Sequence, residues 1–350
     1  MRADPAPKTN ASLAHWQRFV SESLGEAVAL EAQPLAFSDS SHQLYRVFEG
    51  ARRLSGPPGY MLKIPNPDGV AQAQFWQGFE ALFGATFAQQ TRDLPGLYQR
   101  ARTLTPLAVP TLSQAWSTQD GFTVSLTRFV HGMEPDTKDW TRAMPPLAQH
   151  LSAMHQAPMD QAPIDQLARE HWPQQVGLWL RAFFEAPEQA AQCRALIQWA
   201  QTAGLGASLT SILTEAERAL QSEETEWGWS LPDLRPDQFL CPPASGSSAP
   251  SDQAADSALT LVDWDALTPA PIVLDWVLLE YLCDAPEAQT LARAYREAGG
   301  AQSLNKLEGS LPRVRWVYRL LLFSLNVLGE DSLNAWLQRP AHFDAIEKSQ

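Results

Sequence analysis

The sequence has few cysteines and no long apolar run. Its three cysteines, Cys193, Cys241 and Cys283, lie far apart, which fits free thiols in a reducing compartment rather than a disulfide framework. The seven histidines show no metal-ligand spacing with them, so we expect no zinc site. No stretch of about 18 apolar residues is present to span a membrane, and residues 1–11 lack the apolar segment of a signal peptide. We therefore expect a cytoplasmic protein.

Basic residues are also scarce relative to acidic ones. The 26 lysines and arginines are outnumbered by 39 aspartates and glutamates, which gives a formal net charge of −13. This charge argues against nucleic acid and anionic membranes as partners, because both need basic patches. It permits a cationic small-molecule substrate, although an acidic surface also simply favours solubility. The length of 350 residues allows two modest lobes or one large domain. No feature of the sequence indicates the oligomeric state.

The first part of the chain predicts a tail, a helix and a hairpin. Residues 1–11 are polar and proline-rich, so we expect a flexible tail. Apolar residues recur at helical spacing from Ser12 to Glu31, which predicts an amphipathic helix. Two alternating runs, 43–48 and 60–64, flank a turn rich in glycine and proline and predict a β-hairpin.

Lys63 lies inside the second of these predicted strands, between Leu62 and Ile64. A lysine in an apolar strand either faces solvent or reaches into a cleft, and by itself the first interpretation is the more common. Residues 69–84 predict a helix that carries Glu80. Glu80 is either a partner for Lys63 or a solvated helix residue.

The remaining chain is predominantly helical after two more predicted strands, 111–116 and 122–130. A run of proline, serine, alanine and glycine over residues 242–257 cannot bury a core, so we expect a disordered insertion there. The predicted helices after the strands share an apolar period of 3.6 residues. They are 144–156, 172–184, 187–203, 205–222, 285–298, 311–328 and 332–338.

Two carboxylates border short apolar strands in the second half of the chain. Asp233 and Gln238 lie five residues apart in Leu231-Pro232-Asp233-Leu234-Arg235-Pro236-Asp237-Gln238, a loop whose prolines exclude a helix. Asp263 follows the apolar run 259–262. Two strands that are each bordered by an acid can form a ribbon that holds both acids over one cavity. Such an arrangement suits a Mg²⁺-nucleotide and a hydroxyl nucleophile.

This pattern resembles the catalytic segments of the aminoglycoside phosphotransferase and choline kinase group. That group usually has H-G-D-x-x-x-x-N followed by I-D-W/F-E/D. The resemblance implies that Asp233 is the catalytic aspartate and Asp263 the principal Mg²⁺ ligand. Gln238 stands where asparagine is usual and would be the second metal ligand, and Leu231 stands where histidine is usual. The chain is thus a divergent example of the pattern.

The resemblance also implies a set of nucleotide-binding residues. Lys63 would hold the α- and β-phosphates, with Glu80 as its partner. Ser41 would lie in the phosphate-covering loop, in which this chain has no glycine. Arg128 and Val130 would belong to the hinge that holds the adenine and ends at a glycine, Gly132.

Two further positions are matched by the resemblance. Asp275 would brace the catalytic loop, or it is a plain acid at a helix start, where the helix dipole favours it. His155 would be a structural histidine on its helix.

The expected architecture is an α+β, two-lobed, protein-kinase-like fold. A small antiparallel-sheet N-lobe would cover residues 12–130 and a mostly helical C-lobe residues 131–350. The expected function is transfer of the γ-phosphate of Mg²⁺-ATP, or of another nucleoside triphosphate, to a hydroxyl of a small molecule. There are two alternatives. One is an inactive pseudokinase that binds a ligand or partner, which is favoured by the missing glycines and by the departures at Leu231 and Gln238. The other is a helical scaffold whose acidic loops are only turns.

Overall fold

The computed structural model describes residues 6–34, 40–50, 56–159, 169–242, 259–329 and 332–344. An antiparallel sheet occupies the N-terminal part of the chain, and helices dominate the rest. The predicted α+β architecture is therefore confirmed. Apart from residue 242, the predicted insertion over 242–257 lies outside the described residues. None of the helices in the described part of the chain meets the length and hydropathy needed to cross a membrane.

The strands of the described residues form one five-stranded sheet and two short ribbons. The sheet has the order β1-β2-β3-β5-β4, and the ribbons pair β6 with β9 and β7 with β8. The strands are β1 Val28–Ala32, β2 His42–Glu49, β3 Tyr60–Pro65, β4 Leu112–Ser117, β5 Thr123–Arg128, β6 Trp227–Ser230, β7 Phe239–Leu240, β8 Thr260–Leu261 and β9 Thr268–Pro271.

One helix precedes the first three strands, four helices separate β3 from β4, and helices dominate after residue 130. They are α1 Leu13–Leu24, α2 Pro67–Gln72, α3 Gln74–Phe83, α4 Phe87–Arg92, α5 Leu94–Leu104, α6 Thr137–Gln156, α7 Trp172–Glu185, α8 Ala190–Ala203, α9 Leu209–Gln221, α10 Val273–Leu282, α11 Ala285–Tyr295, α12 Ala301–Ser324 and α13 Leu333–Gln338. Short 3₁₀ turns cover Pro187–Gln189 and Pro236–Gln238, and a π-helical turn covers Arg296–Gly300.

The first predicted helix ends earlier than its apolar spacing indicates. Helix α1 stops at Leu24, where Gly25 adopts a left-handed conformation with φ 73° and caps the helix end. The chain then extends, and Val28–Ala32 pairs with β2 as an edge strand. The predicted helix over 12–31 is therefore wrong in its last turns, because Val28 fits both the helical period and the buried face of a strand.

Two other segments differ from expectation. The helix expected over 69–84 is two helices, because Ala73 is extended at ψ 110° between α2 and α3. In the described part of the expected N-terminal tail, Ala6 is buried and forms a β-bridge with Thr118. The side chain of Thr9 donates to Asp120 at 2.7 Å. Residues 6–11 therefore pack against the β4–β5 turn.

Alternation along the sheet separates a core from a cleft. In β3, Tyr60, Leu62 and Ile64 pack with α1 in a small core, whereas Met61 and Lys63 line a cavity on the opposite face. This follows from the two-residue period of a strand. The large core lies beyond the cavity and includes α3, α5 and the C-terminal helices. The cavity therefore lies between the sheet and the helical part.

Candidate active site

Strand pairing brings the two predicted acidic segments together. Phe239 of β7 pairs with Leu261 of β8, and the N–H of Val262 donates to the carbonyl of Gln238 at 3.0 Å. The loop before β7 carries Asp233, and Asp263 lies two residues after the end of β8. Both carboxylates line the same cavity, as the ribbon predicted from the sequence requires.

The loop of residues 231–238, which carries Asp233, is stabilised by hydrogen bonds within the loop. Leu234 donates its N–H to the carbonyl of Leu231 at 3.0 Å. The side chain of Gln238 is buried; its Nε2 donates to the carbonyl of Asp233 at 3.1 Å, and its Oε1 accepts from the N–H of Arg235 at 3.2 Å. The amide of Gln238 thus stabilises the loop. Because an amide oxygen has two lone pairs, one remains for the predicted role as a metal ligand.

A buried cluster lies beneath this loop and fixes its start. Asp275, in the first turn of α10, accepts from Ser230 Oγ at 2.5 Å and lies 2.9 Å from His155 Nε2. The other nitrogen of His155 lies 2.9 Å from the hydroxyl of Tyr295. Since Ser230 is the last residue of β6, Asp275 braces the strand that leads into the loop. The bracing interpretation of Asp275 and the structural one of His155 agree with these contacts.

Lys63 lies between two carboxylates at the floor of the cavity. Its Nζ is 2.8 Å from Asp263 Oδ1 and 3.3 Å from Asp265 Oδ2. His42 Nδ1 lies 3.5 Å from the same oxygen of Asp265. Lys63 therefore reaches into the cleft, and the solvent-facing alternative is excluded.

The crowding of charge shifts the ionisation of this cluster. Burial raises the pKa of Asp233 to about 7, and the nearby charge of Asp263 adds to the rise. Burial also raises the pKa of Asp265 to about 6, against the attraction of Lys63. Burial opposes the charge of Asp263, but Lys63 outweighs it and holds the pKa of Asp263 well below its usual range. Burial lowers the pKa of His42 to about 3, so its ring is neutral at pH 7.

The predicted hinge forms the wall of the cavity at the end of β5. The N–H of Arg128 donates to the carbonyl of Thr111 at 2.8 Å, and its guanidinium lies 4.3 Å from the ring centre of Tyr60. Arg128 and Val130 both line the cavity. A Cβ on Gly132 would lie 2.8 Å from the carbonyl oxygen of Cys241. Glycine is therefore needed where the chain passes the ribbon strand.

Ser40 and Ser41, immediately before β2, line the cavity at the end of the sheet away from the hinge. The carbonyls of Ser40 and Ser41 accept from the side-chain and backbone nitrogens of Asn66 at 3.0 and 2.8 Å. Ser41 Oγ lies 3.1 Å from His42 Nδ1. Ser41 lines the cavity, which has a volume of about 490 Å³. This volume is within the range of small-molecule and cofactor sites.

Glu80 does not take the position expected for it. Helix α3 buries Trp76, Phe79 and Phe83, and Glu80 is exposed on the other side. The carboxylates that contact Lys63 are those of Asp263 and Asp265. Of the two alternatives for Glu80, the solvated helix residue agrees with the structure, and the pairing with Lys63 is not formed, because burial of the aromatic face rotates the glutamate away from the cleft.

Three residues of the site were not assigned from the sequence. Asp265 lies two positions after Asp263, a spacing that was visible in Asp263-Trp264-Asp265, but its contact with Lys63 depends on the turn that follows β8. His42 gave no local signal. Arg235 lines the cavity and pairs with Asp237 at 3.0 Å. The signal that the sequence offered for Arg235 was its position in the loop of residues 231–238.

The donor set of the cleft fits a magnesium ion held together with a nucleotide. Mg²⁺ prefers oxygen ligands and is usually bound by one or two carboxylates plus substrate phosphates. Asp263 offers such a carboxylate, and Oδ1 of the buried Asp265 has no hydrogen-bond partner among the described residues. The described residues contain no group of three or more His, Cys, Asp and Glu side chains placed for an all-protein metal site. These residues would therefore hold Mg²⁺ only in part.

Comparison with solved structures identifies the fold as that of small-molecule kinases. The wild-type aminoglycoside 2'-phosphotransferase-IIIa in complex with GDP matches with a TM-score of 0.53 at 13% identity, over 94% of this chain and 97% of the other. An ethanolamine kinase of Plasmodium vivax matches with a TM-score of 0.54 at 11% identity, over 93% of this chain and 86% of the other. The GDP and kanamycin complex of APH(2")-IIia matches with a TM-score of 0.52 at 15% identity, over 92% and 94% of the two chains.

These matches confirm the predicted resemblance at the level of the fold, which is protein-kinase-like. The identities of 11–15% fit the divergence seen in the motifs. No protein-family model matches the sequence, and no curated protein matches it either.

Proposed function

We propose that the protein transfers the γ-phosphate of a Mg²⁺-nucleoside triphosphate, ATP or another, to a hydroxyl of a small molecule. The observation that supports it most is that Lys63, Asp233 and Asp263 line one cavity, although they come from three separate segments. A lysine for phosphates, an acid for the metal and a second acid for the acceptor are the groups that phosphoryl transfer requires.

Each residue has a role that follows from its position. Asp233 orients the acceptor hydroxyl and takes its proton, and a pKa near 7 suits a general base at neutral pH. Lys63 neutralises phosphate charge. Asp263 and Gln238 would hold Mg²⁺, which when bound offsets charge on the phosphates. Ser41 covers the phosphates.

The hinge and the open side of the cavity provide the binding positions of the nucleotide and of the acceptor. The backbone at Arg128 and Val130 holds the nucleotide base, so the acceptor enters from the other side of Asp233. Acidic side chains at Asp237 and Glu134 line the cavity as well, and their charge favours a cationic acceptor. We place this reaction in the cytoplasm.

The cleft also contains a feature that favours an inactive, ligand-binding protein. Lys63 is bound directly to the acid that would hold the metal, at 2.8 Å, and the oxygen of Gln238 already accepts a hydrogen bond. A pseudokinase could retain this closed arrangement and still bind a ligand in the cavity.

Thermal shift with ATP, in the presence and absence of Mg²⁺, tests the proposed metal site, and a phosphoryl-transfer assay then separates an enzyme from an inactive protein that binds the same ligands. An enzyme is stabilised by the two together, and Asp263→Asn removes the Mg²⁺-dependent part, because an amide replaces the charged ligand. Asp237→Asn is the matched control, since Asp237 lines the same cavity but pairs with Arg235. Equal Mg²⁺-nucleotide binding by Asp263→Asn and wild type would overturn the proposed metal site. A positive shift is followed by a screen of amino-alcohols, aminoglycosides and sugars with labelled ATP.

A further inference from the structure

If Asp263 binds a metal ion, Lys63 needs another carboxylate to hold it in place. In protein kinases this carboxylate is a glutamate on the helix that follows the lysine strand. Here helices α2 and α3 contain two acids, Asp68 and Glu80, and both are exposed. Helices α2 and α3 therefore supply no carboxylate partner for the lysine.

Asp265 lies where such a partner is needed. Its Oδ2 is 3.3 Å from Lys63 Nζ, and its side chain is 5% exposed, compared with 32% for Asp263. The turn that carries Asp265 is fixed by Trp264, a fully buried residue whose Nε1 donates to the carbonyl of Leu261 at 2.8 Å. Both carboxylates line the cavity, but Asp265 is the more deeply buried of the two, so Asp263 is the more accessible to a ligand.

We propose that Asp265 anchors Lys63 in place of the helix glutamate, so that Asp263 is available for the metal. The purpose of this anchor rests on the proposed function, but the contact itself does not. Asp265 is a positioning residue, since it acts on the nucleotide only through Lys63. The buried His42, 3.5 Å from the same oxygen, restricts the movement of Asp265.

Acylation of Lys63 tests the anchor without a metal or a reaction. The chain has five lysines, so the rate at each can be followed by peptide mass spectrometry after treatment with an N-hydroxysuccinimide ester. Lys306, whose side chain is 50% exposed, is the internal reference. Asp263→Asn imitates the loss of Asp263 to a metal. The comparison uses this variant alone and combined with Asp265→Asn or with Glu80→Gln.

In Asp263→Asn we expect the acylation rate of Lys63 to stay low, because Asp265 still holds the amine. When Asp265→Asn is added, Lys63 should react at least about tenfold faster, which corresponds to the loss of one charged hydrogen bond. Adding Glu80→Gln should change nothing. The proposal is overturned if Asp263→Asn alone releases Lys63, if Asp265→Asn adds no increase, or if Glu80→Gln has the same effect as Asp265→Asn. Melting curves show whether each variant is folded, and if the Asp265 combination is not, release of Lys63 in Asp263→Asn alone still overturns the proposal.

Kinetics provide a second measurement. Asp265→Asn should raise the KM for Mg²⁺-ATP by about tenfold or more with a smaller change in kcat, because a lysine that has lost its anchor binds phosphate less well. Glu80→Gln should leave both constants within about twofold. If wild type shows no phosphoryl transfer, the proposed function fails, whereas the acylation result for Lys63 still stands.

Discussion

The molecule contains two clusters of buried charge that differ in how completely they are balanced. The cleft cluster consists of Lys63, Asp233, Asp263 and Asp265, three carboxylates around one amine, and the nearby Arg235 is already paired with another carboxylate. Its imbalance appears in the repulsion between the acids, because the charge of Asp263 adds to the rise that burial causes in the pKa of Asp233 and Asp265.

The second cluster, here called the α10 cluster, consists of Glu280, Arg315, Arg319 and Asp344, two acids and two bases. Glu280 is fully buried and accepts from Arg315 at 3.0 Å and from Arg319 at 2.7 Å. Arg315 also donates to Asp344 at 2.9 Å. This cluster ties the end of the described chain to α10 and α12.

The comparison shows what each cluster does. Removing one partner from a balanced buried network destabilises the fold, because it leaves the opposite charges buried and uncompensated. An unbalanced one destabilises the protein without ligands and is compensated when a cation enters. The same acid-to-amide substitution should therefore have opposite effects on stability in the two clusters.

The largest expected effect is on activity in the cleft cluster. Asp233→Asn should reduce phosphoryl transfer by on the order of 10²–10⁴, because the acceptor hydroxyl loses its general base. The variant should still fold, and its nucleotide binding should be nearly unchanged, since the proposed position of Asp233 is at the acceptor and not at the metal. The measurement is the initial rate with an acceptor found by the screen, with ATP binding as the control. A variant that keeps more than about a tenth of the wild-type rate would remove Asp233 from this role.

The next effect is on stability in the α10 cluster. Glu280→Gln should lower the free energy of unfolding by about 3–5 kcal/mol, because it leaves two buried guanidinium groups without their central carboxylate. Chemical denaturation measures this loss. Glu215→Gln is the control: it removes one acid from an exposed pair on α9 and should cost less than about 1 kcal/mol. Equal losses in the two variants would show that the α10 cluster contributes no more than a surface pair.

Much of the fold and part of the site could be predicted from the sequence, because these features depend on residues that are close together along the chain. Asp233 and Asp263 each stand in a short motif at the edge of a strand, so their convergence follows from one β-ribbon. The position of Lys63 inside a strand follows from the alternation of β3, whereas its direction into the cleft was implied by the family resemblance. These features need only neighbouring residues and the pairing of adjacent strands.

The features that were missed depend on tertiary packing. Strand β1 was assigned to a helix because Val28 continues the helical period, and only Gly25 and the edge of the sheet decide between the two. Glu80 was paired with Lys63 because its position along α3 is suitable. Its rotation is set by the aromatic residues that α3 buries against the C-terminal helices. The role of Asp265 depends on a turn closed by Trp264.

A smaller effect should appear in the stability of the ligand-free protein as pH changes. Burial raises the pKa of Asp233 to about 7, above its value in the unfolded chain, so the folded state binds more protons between these two values. Stability therefore falls as pH rises through this window. Asp233→Asn does not titrate and should be more stable than wild type by about 1–3 kcal/mol at pH 8, with no gain at pH 4.

Melting temperatures at these two pH values, measured without Mg²⁺ or nucleotide, test this effect. The charges around Asp233 are those of Asp263, Asp265 and Arg235, and Asp237→Asn serves as the control for a general loss of negative charge. If Asp233→Asn melts below wild type at pH 8, the cleft cluster is balanced after all, and its difference from the α10 cluster disappears.

The smallest effect concerns Gln238, where the chain departs from the usual asparagine. Both polar atoms of the Gln238 amide hold the loop, one on Asp233 and one on Arg235. An asparagine side chain at this position would be shorter by one methylene.

Gln238→Asn should keep the activity or raise it by a few-fold, because a shorter arm fixes fewer torsions when its oxygen meets a metal. The loop should lose about 1 kcal/mol, because one of the two hydrogen bonds cannot be made at the shorter reach. A Mg²⁺ titration at fixed ATP measures the first effect and denaturation the second. A loss of Mg²⁺ affinity in Gln238→Asn would mean that the longer side chain is required, so that the loop of this chain has adapted to glutamine.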